Sequence, residues 1–178
     1  YDLLGRIRDE DVRARTVESL ANRYQVDQEH AERVSATAVE LMTQVSADWN
    51  LADDNLHHIL SWAAQLHEIG RDIAHSQYHK HGAYLVEYSD LPGFSLGDQR
   101  FLSVLVRCHR RKFSNKVFDA LPEDYRESTR YLAVILRLAV LLHRSRRDRS
   151  FRDLNVKVGK NKLKLIFPDG WLDHHPLN

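Results

Sequence analysis

Residues 54–70 read Asp-Asn-Leu-His-His-Ile-Leu-Ser-Trp-Ala-Ala-Gln-Leu-His-Glu-Ile-Gly. Leu56, Ile59, Leu60, Ala63 and Leu66 recur at steps of three and four. That is the period of a helix with one buried face. Asp54 stands at its start, and Gly70 can supply the left-handed conformation that ends a helix. His67 and Glu68 close the apolar stripe just before that glycine. A polar pair at the end of an apolar helix is oddly placed for solubility alone, so these two residues are the first candidates for a site.

The same period extends outward in both directions. On the amino-terminal side, Val12, Val17, Leu20, Ala21 and Tyr24 form one helical stripe, with Asp9 or Asp11 as candidate caps. After a candidate cap at Asp27 come Ala31, Val34, Ala38, Leu41, Met42 and Val45. His30 is in step with that second stripe and therefore faces inward. On the carboxy-terminal side, the spacing predicts helices over 81–88, 98–109 and 122–147, the last with the apolar run Tyr131–Leu142 as a central buried helix. The turn-rich stretch 89–95 separates the first two. Period-two alternation then replaces the helical one over 155–158 and 162–167, with Gly159-Lys160-Asn161 between, which predicts a β-hairpin. Such a hairpin is marginal alone, so it must pack on the helices or pair with a strand that these residues do not supply. The expected fold is mainly α: a helical domain over 1–150 and a hairpin tail over 151–178 packed on it as the same structural unit.

Composition narrows the function classes. A charged fraction of 29% and a hydrophobic fraction of 43% describe an ordinary globular chain. No apolar run approaches the roughly 20 residues of a bilayer span, so no membrane role is expected. One cysteine, Cys108, excludes an internal disulfide and points to a reducing, cytoplasmic setting. The first residue is Tyr1, not Met, which points to a piece of a longer protein.

The histidines then enter as a set. His30, 66-Leu-His-Glu-Ile-Gly-70, 79-His-Lys-His-Gly-Ala-Tyr-Leu-85 and 106-Val-Arg-Cys-His-Arg-Arg-111 follow one another in an order and spacing that resembles the HD superfamily. Within it, the chain is most similar to the C-terminal domain of Ppx/GppA enzymes, exopolyphosphatases and guanosine-pentaphosphate phosphohydrolases. The stretches 11-Asp-Val-Arg-Ala-Arg-Thr-16, 89-Ser-Asp-Leu-Pro-Gly-Phe-94 and 167-Phe-Pro-Asp-Gly-Trp-Leu-172 support that narrower match. The resemblance implies an HD-like helical bundle. It also implies a metal site built from a first His, an adjacent His-Asp pair and a distal Asp. His30, His67, Glu68 and Val140 stand at those positions. Glu in place of Asp displaces the carboxylate, and valine ligates nothing. We therefore expect a remnant without metal and no catalytic residue in this chain. By the same resemblance, cleavage belongs to N-terminal actin-like lobes absent from this sequence, Mg is expected for the parent enzyme only, and the parent is a homodimer.

Arginine and lysine dominate from Arg107 onward although the net charge is only +1. Two clusters stand out: Arg107, His109, Arg110, Arg111 and Lys112 after one helix, and Arg144, Arg146 and Arg147 after the next. Planar guanidiniums suit phosphate. With His81, these residues are the expected binding surface for inorganic polyphosphate or guanosine pentaphosphate. Nucleic acid is disfavoured, because most aromatics, such as Tyr24, Trp62, Tyr84, Phe101 and Tyr131, fall in apolar patterns and read as core, which favours a partner with phosphates and no bases. The alternative is an independent metal-dependent HD phosphohydrolase acting on nucleotides. The sequence does not separate polyphosphate from guanosine pentaphosphate.

Overall fold

The computed structural model describes residues 3–147 and 151–174. Six helices form the body: α1 (Leu3–Arg23), α2 (Gln28–Trp49), α3 (Asp54–Leu66), α4 (Tyr78–Tyr88), α5 (Leu96–Cys108) and α6 (Glu123–Leu142). Strands β1 (Asn155–Gly159) and β2 (Lys162–Ile166) pair antiparallel, with Val156 opposite Leu165, and the short α7 (Trp171–His174) follows. This is the mainly helical architecture with a closing hairpin that the periodicities predict.

Local chemistry sets the boundaries. Asp27, Asp53 and Ser95 each accept a backbone N–H of the first turn of α2, α3 and α5, satisfying donors that a helix start leaves open. Asp9 and Asp11, the candidate caps, lie within α1, which starts at Leu3. Helix α6 ends at Leu142, five residues short of the predicted end. His143 to Ser145 turn away, and Arg146 takes a left-handed backbone at φ 56°.

The core lies among α2, α3, α5 and α6, where Val34, Met42, Ile59, Leu66, Leu102, Leu105, Leu132 and Leu136 are fully enclosed. Helix α2 packs on α3 and α6, α3 packs on α5, and α4 packs on α5. The hairpin is fastened to α2 by Gln44, whose side chain donates to the Leu154 carbonyl and accepts from the Val156 amide. The run Tyr131–Leu142 is not buried all round: Val134 and Leu141 are exposed on one face of α6.

Gly70 has a different role from the expected one. Its backbone is not left-handed. It sits in a 3-10 turn, Ile69–Asp72, directly against α4. A Cβ there would lie 2.0 Å from the Tyr78 carbonyl oxygen and 2.5 Å from the Gly82 amide nitrogen. Close helix approach, not chain reversal, is why this position lacks a side chain.

Candidate functional site

His30 on α2 and His67 and Glu68 at the end of α3 converge on one buried point. Their ligand-type atoms lie within 4.8 Å of one another. His30 Nε2 is 3.5 Å and His67 Nε2 4.0 Å from Glu68 Oε1. All three residues are buried. The Ala64 carbonyl, which can only accept, is bonded to His67 Nδ1. The proton therefore sits on Nδ1, and Nε2 presents its lone pair to the cluster.

The charge facing Glu68 comes from arginine. Arg146 Nη1 donates to both Glu68 oxygens, at 3.0 and 3.1 Å, and Arg71, one turn along from Glu68, donates to Oε2. Arg146 Nη2 also reaches Asp27, the cap of α2, at 3.2 Å. Burial alone would raise the Glu68 carboxyl. His67, Arg71 and Arg146 together outweigh it and hold the group below the usual carboxylate range. Since His67 is itself pushed down by burial and neutral near pH 7, the two guanidiniums carry that effect. Burial, then the Arg146 charge, pushes His30 down to about 4.

In this arrangement a divalent metal would compete with two guanidiniums for Glu68. Two imidazoles and a carboxylate are a suitable donor set, but both oxygens of the carboxylate already accept guanidinium hydrogen bonds. A dication among them would face two fixed positive charges. The cluster is better described as a buried ion pair flanked by neutral imidazoles, with the left-handed turn at Arg146 aiming the guanidinium back into the bundle.

Removing that guanidinium has a measurable consequence. Breaking a buried pair costs about 3–5 kcal/mol when one charge is left alone. Arg71 remains and Arg146 is 38% exposed, so the expected loss for Arg146→Met is nearer about 2 kcal/mol. Urea unfolding should show it, and Glu68→Gln added to Arg146→Met should recover part of the loss. A change under about 0.5 kcal/mol would mean that solvent already screens the pair.

The phosphate-binding candidates fall in separate places. Arg110, Arg111 and Arg144 line an open groove of about 680 Å³ with Tyr78, Arg137, Leu138, Val140 and the exposed Val134 and Leu141. Arg110 lies over the Tyr78 ring at 4.2 Å, and Arg137 donates to the Cys108 and Arg111 carbonyls, fixing the turn that carries Arg110 and Arg111. Val140 is therefore a groove wall. His109 also lines this groove but is buried. Its Nδ1 bonds the Val106 carbonyl, and burial holds its pKa well below the ordinary value, so it brings no charge. His81 and Arg107 line a second groove between α4 and α5. Arg146 is engaged at Glu68. Lys112 and Arg147 are exposed.

The sequence reading missed Asp27 and Arg71 as members of the ion cluster. Arg71 carries a signal that was there to read: a basic residue three positions after Glu68 on a helical turn. It also missed the imidazole row His30, His67, His109, His79, with successive ring centroids 6.0, 5.1 and 6.5 Å apart.

A helical domain with a closing hairpin and an arginine-neutralised His-His-Glu cluster is the class of protein defined by this fold and site. A family model described as Ppx/GppA phosphatase, domain III, matches residues 12–178, and the chain belongs to that family. It is 34% identical over 177 residues to a guanosine-5′-triphosphate,3′-diphosphate pyrophosphatase of Pseudoalteromonas translucida (strain TAC 125), covering 99% of this chain and 35% of that protein. A protein of the same name from Aeromonas hydrophila subsp. hydrophila is 38% identical over 177 residues, covering 99% and 36%. The chain thus spans about a third of the length of these curated relatives. Among the described residues, no helix is long and apolar enough to cross a membrane.

Proposed function

We propose that this domain holds the phosphate chain of guanosine pentaphosphate or inorganic polyphosphate while hydrolysis occurs in lobes outside these residues. The observation that carries this reading is the joining of two distant basic segments. Arg110 and Arg111 after α5 and Arg144 after α6 line one open groove. None of the three forms an ion pair with an acidic side chain among the described residues, unlike Arg146. Several separated guanidiniums suit a linear polyanion better than one deep pocket does, because each gives directed, charge-assisted bonds. The relatives' names supply the guanosine compound, and their greater length leaves room for the lobes. Association as a homodimer belongs to the same reading. So does a cytoplasmic setting, which fits the single buried thiol of Cys108.

Titration of labelled polyphosphate against wild type and the Arg110→Ala/Arg111→Ala double variant, at two salt concentrations, tests the groove. Affinity should fall steeply with salt through counterion release. The double variant should bind about 1–3 kcal/mol more weakly, with folding stability changed by no more than about 1 kcal/mol, the worth of the Arg110–Tyr78 contact. Equal affinity of the two proteins, or binding indifferent to salt, would mean that these arginines only solvate a helix end.

A further inference from the structure

The groove between α4 and α5 differs in character from the one just described. It measures about 760 Å³. Along α4, Lys80, Tyr84 and Tyr88 are spaced by four and so form one stripe about 12 Å long. Both tyrosines are exposed, at 63% and 67%, and their ring centroids lie 4.7 Å apart. Tyr84, expected in the core, is thus a surface residue, because α4 buries only His79, Gly82, Ala83 and Val86. The facing wall carries Arg100 and Arg107, two turns apart on α5. Lys80, Arg100 and Arg107 form no ion pair among the described residues, and Glu87 is the one acid in the lining.

Helix α4, which carries the tyrosines, is tied to α5. The Gln99 side-chain amide donates to the carbonyls of Val86, Glu87 and Ser89, and the Ser103 hydroxyl donates to the Ala83 carbonyl. These bonds clamp the end of α4 to α5. The two helices that carry the tyrosines and the cations are therefore fixed relative to each other.

We infer that this groove binds single-stranded RNA, with bases stacked on Tyr84 and Tyr88 and phosphates on Lys80, Arg100 and Arg107. Exposed aromatic rings flanked by unpaired cations are the two elements that single-strand recognition requires. A bare phosphate chain has nothing to lay on the tyrosines, and a duplex hides its base faces. The excess of positive charge disfavours a protein partner unless that partner is acidic. Glu87 repels phosphate but accepts a hydrogen bond from a ribose 2′-hydroxyl, a donor that DNA lacks. This inference is independent of the phosphate groove beside α6, since no residue lines both.

Fluorescence anisotropy of a labelled single-stranded RNA of about ten nucleotides, within the usual site size, tests it directly. Saturable binding is expected, with the same DNA sequence weaker and the duplex weakest. Tyr84→Ala/Tyr88→Ala should weaken RNA binding by about tenfold or more and leave polyphosphate affinity unchanged. Arg100→Gln/Arg107→Gln should weaken RNA binding and flatten its salt dependence. Both pairs are surface changes, and circular dichroism should show native helix content. Absence of RNA binding, equal binding by the tyrosine variant, or equal loss of polyphosphate binding would overturn the assignment. So would sedimentation showing a dimer that only the tyrosine variant dissociates, because the face would then belong to a second copy.

Discussion

Gly70→Ala is expected to destabilise the domain by about 3 kcal/mol or more, the upper range for overpacking. The added methyl would stand 2.0 Å from the Tyr78 carbonyl oxygen and 2.5 Å from the Gly82 amide. Both are backbone atoms of α4, so no side-chain rotation relieves the clash. Helix α4 must move away from the 3-10 turn, and the Gln99 and Ser103 bonds that hold α4 on α5 must stretch with it. The damage extends to both grooves, because Tyr78 lines one and Tyr84 the other. Gly97→Ala is the matched control. Its Cβ would meet nothing nearer than the Ser95 hydroxyl at 3.9 Å, and its effect should stay within about 0.5 kcal/mol. Urea unfolding of the two variants decides the matter. Equal stability would mean that the approach of α4 to this turn is not a fixed feature of the fold.

Much of the bundle was legible because its signal is local. The stripe from Leu56 to Leu66 and the cap at Asp27 belong to single helices, and the structure places α3 over Asp54–Leu66 as the period requires, with Asp53, which the sequence reading did not name, as its cap. The hairpin was equally legible, since alternation and the Gly-Lys-Asn turn lie within twelve residues of one another. Gly70 shows the limit. From sequence, a glycine after a helix reads as a left-handed stop; its actual task depends on α4 passing within contact distance, which is a tertiary fact. The same limit explains Tyr84. Its spacing fits an apolar pattern, but α4 is covered on one side only, and nothing in the local sequence says which side.

The polar cluster was legible in part for a related reason. An inward His30 and a terminal His67-Glu68 pair follow from helical phase alone. The partner of Glu68 does not, because Arg146 lies 78 positions away and reaches it through a left-handed turn that no local pattern marks. Arg146 read instead as one more member of a basic run. The structure separates that run by function: Arg144 faces a groove, while Arg146 neutralises a buried carboxylate. Charge counting gives the sum of such a segment and never its division.

Acid should unfold this domain well before its carboxylates titrate, with a midpoint near about pH 5. Burial is the first cause in each case: His30, His79 and His143 are each held down to about 4, and His67 and His109 are also lowered. Neighbouring cations add to it, Arg146 at His30, Arg110 and Arg107 at His79, Arg33 at His143. In the unfolded chain each imidazole returns to about 6.5. The folded state therefore binds fewer protons than the unfolded state between those values, and stability must fall as pH drops through that window. Above about pH 7 both states are neutral at these groups and stability should be flat. Each fully affected imidazole contributes a slope of up to about 1.4 kcal/mol per pH unit, and several act together against a total stability of about 5–15 kcal/mol. Glu68 and Asp27 act in the same direction but lower down, since their folded values lie below the ordinary carboxylate range and their contribution persists until pH falls through them. Thermal melts followed by circular dichroism from about pH 8 to pH 5 should show a plateau and then a steep decline. His143→Gln should make the decline shallower, because an amide keeps a hydrogen bond to Thr37 without taking up a proton. A melting temperature constant from pH 7 to pH 5 would mean that the buried imidazoles bind protons as readily in the folded state as in the unfolded one.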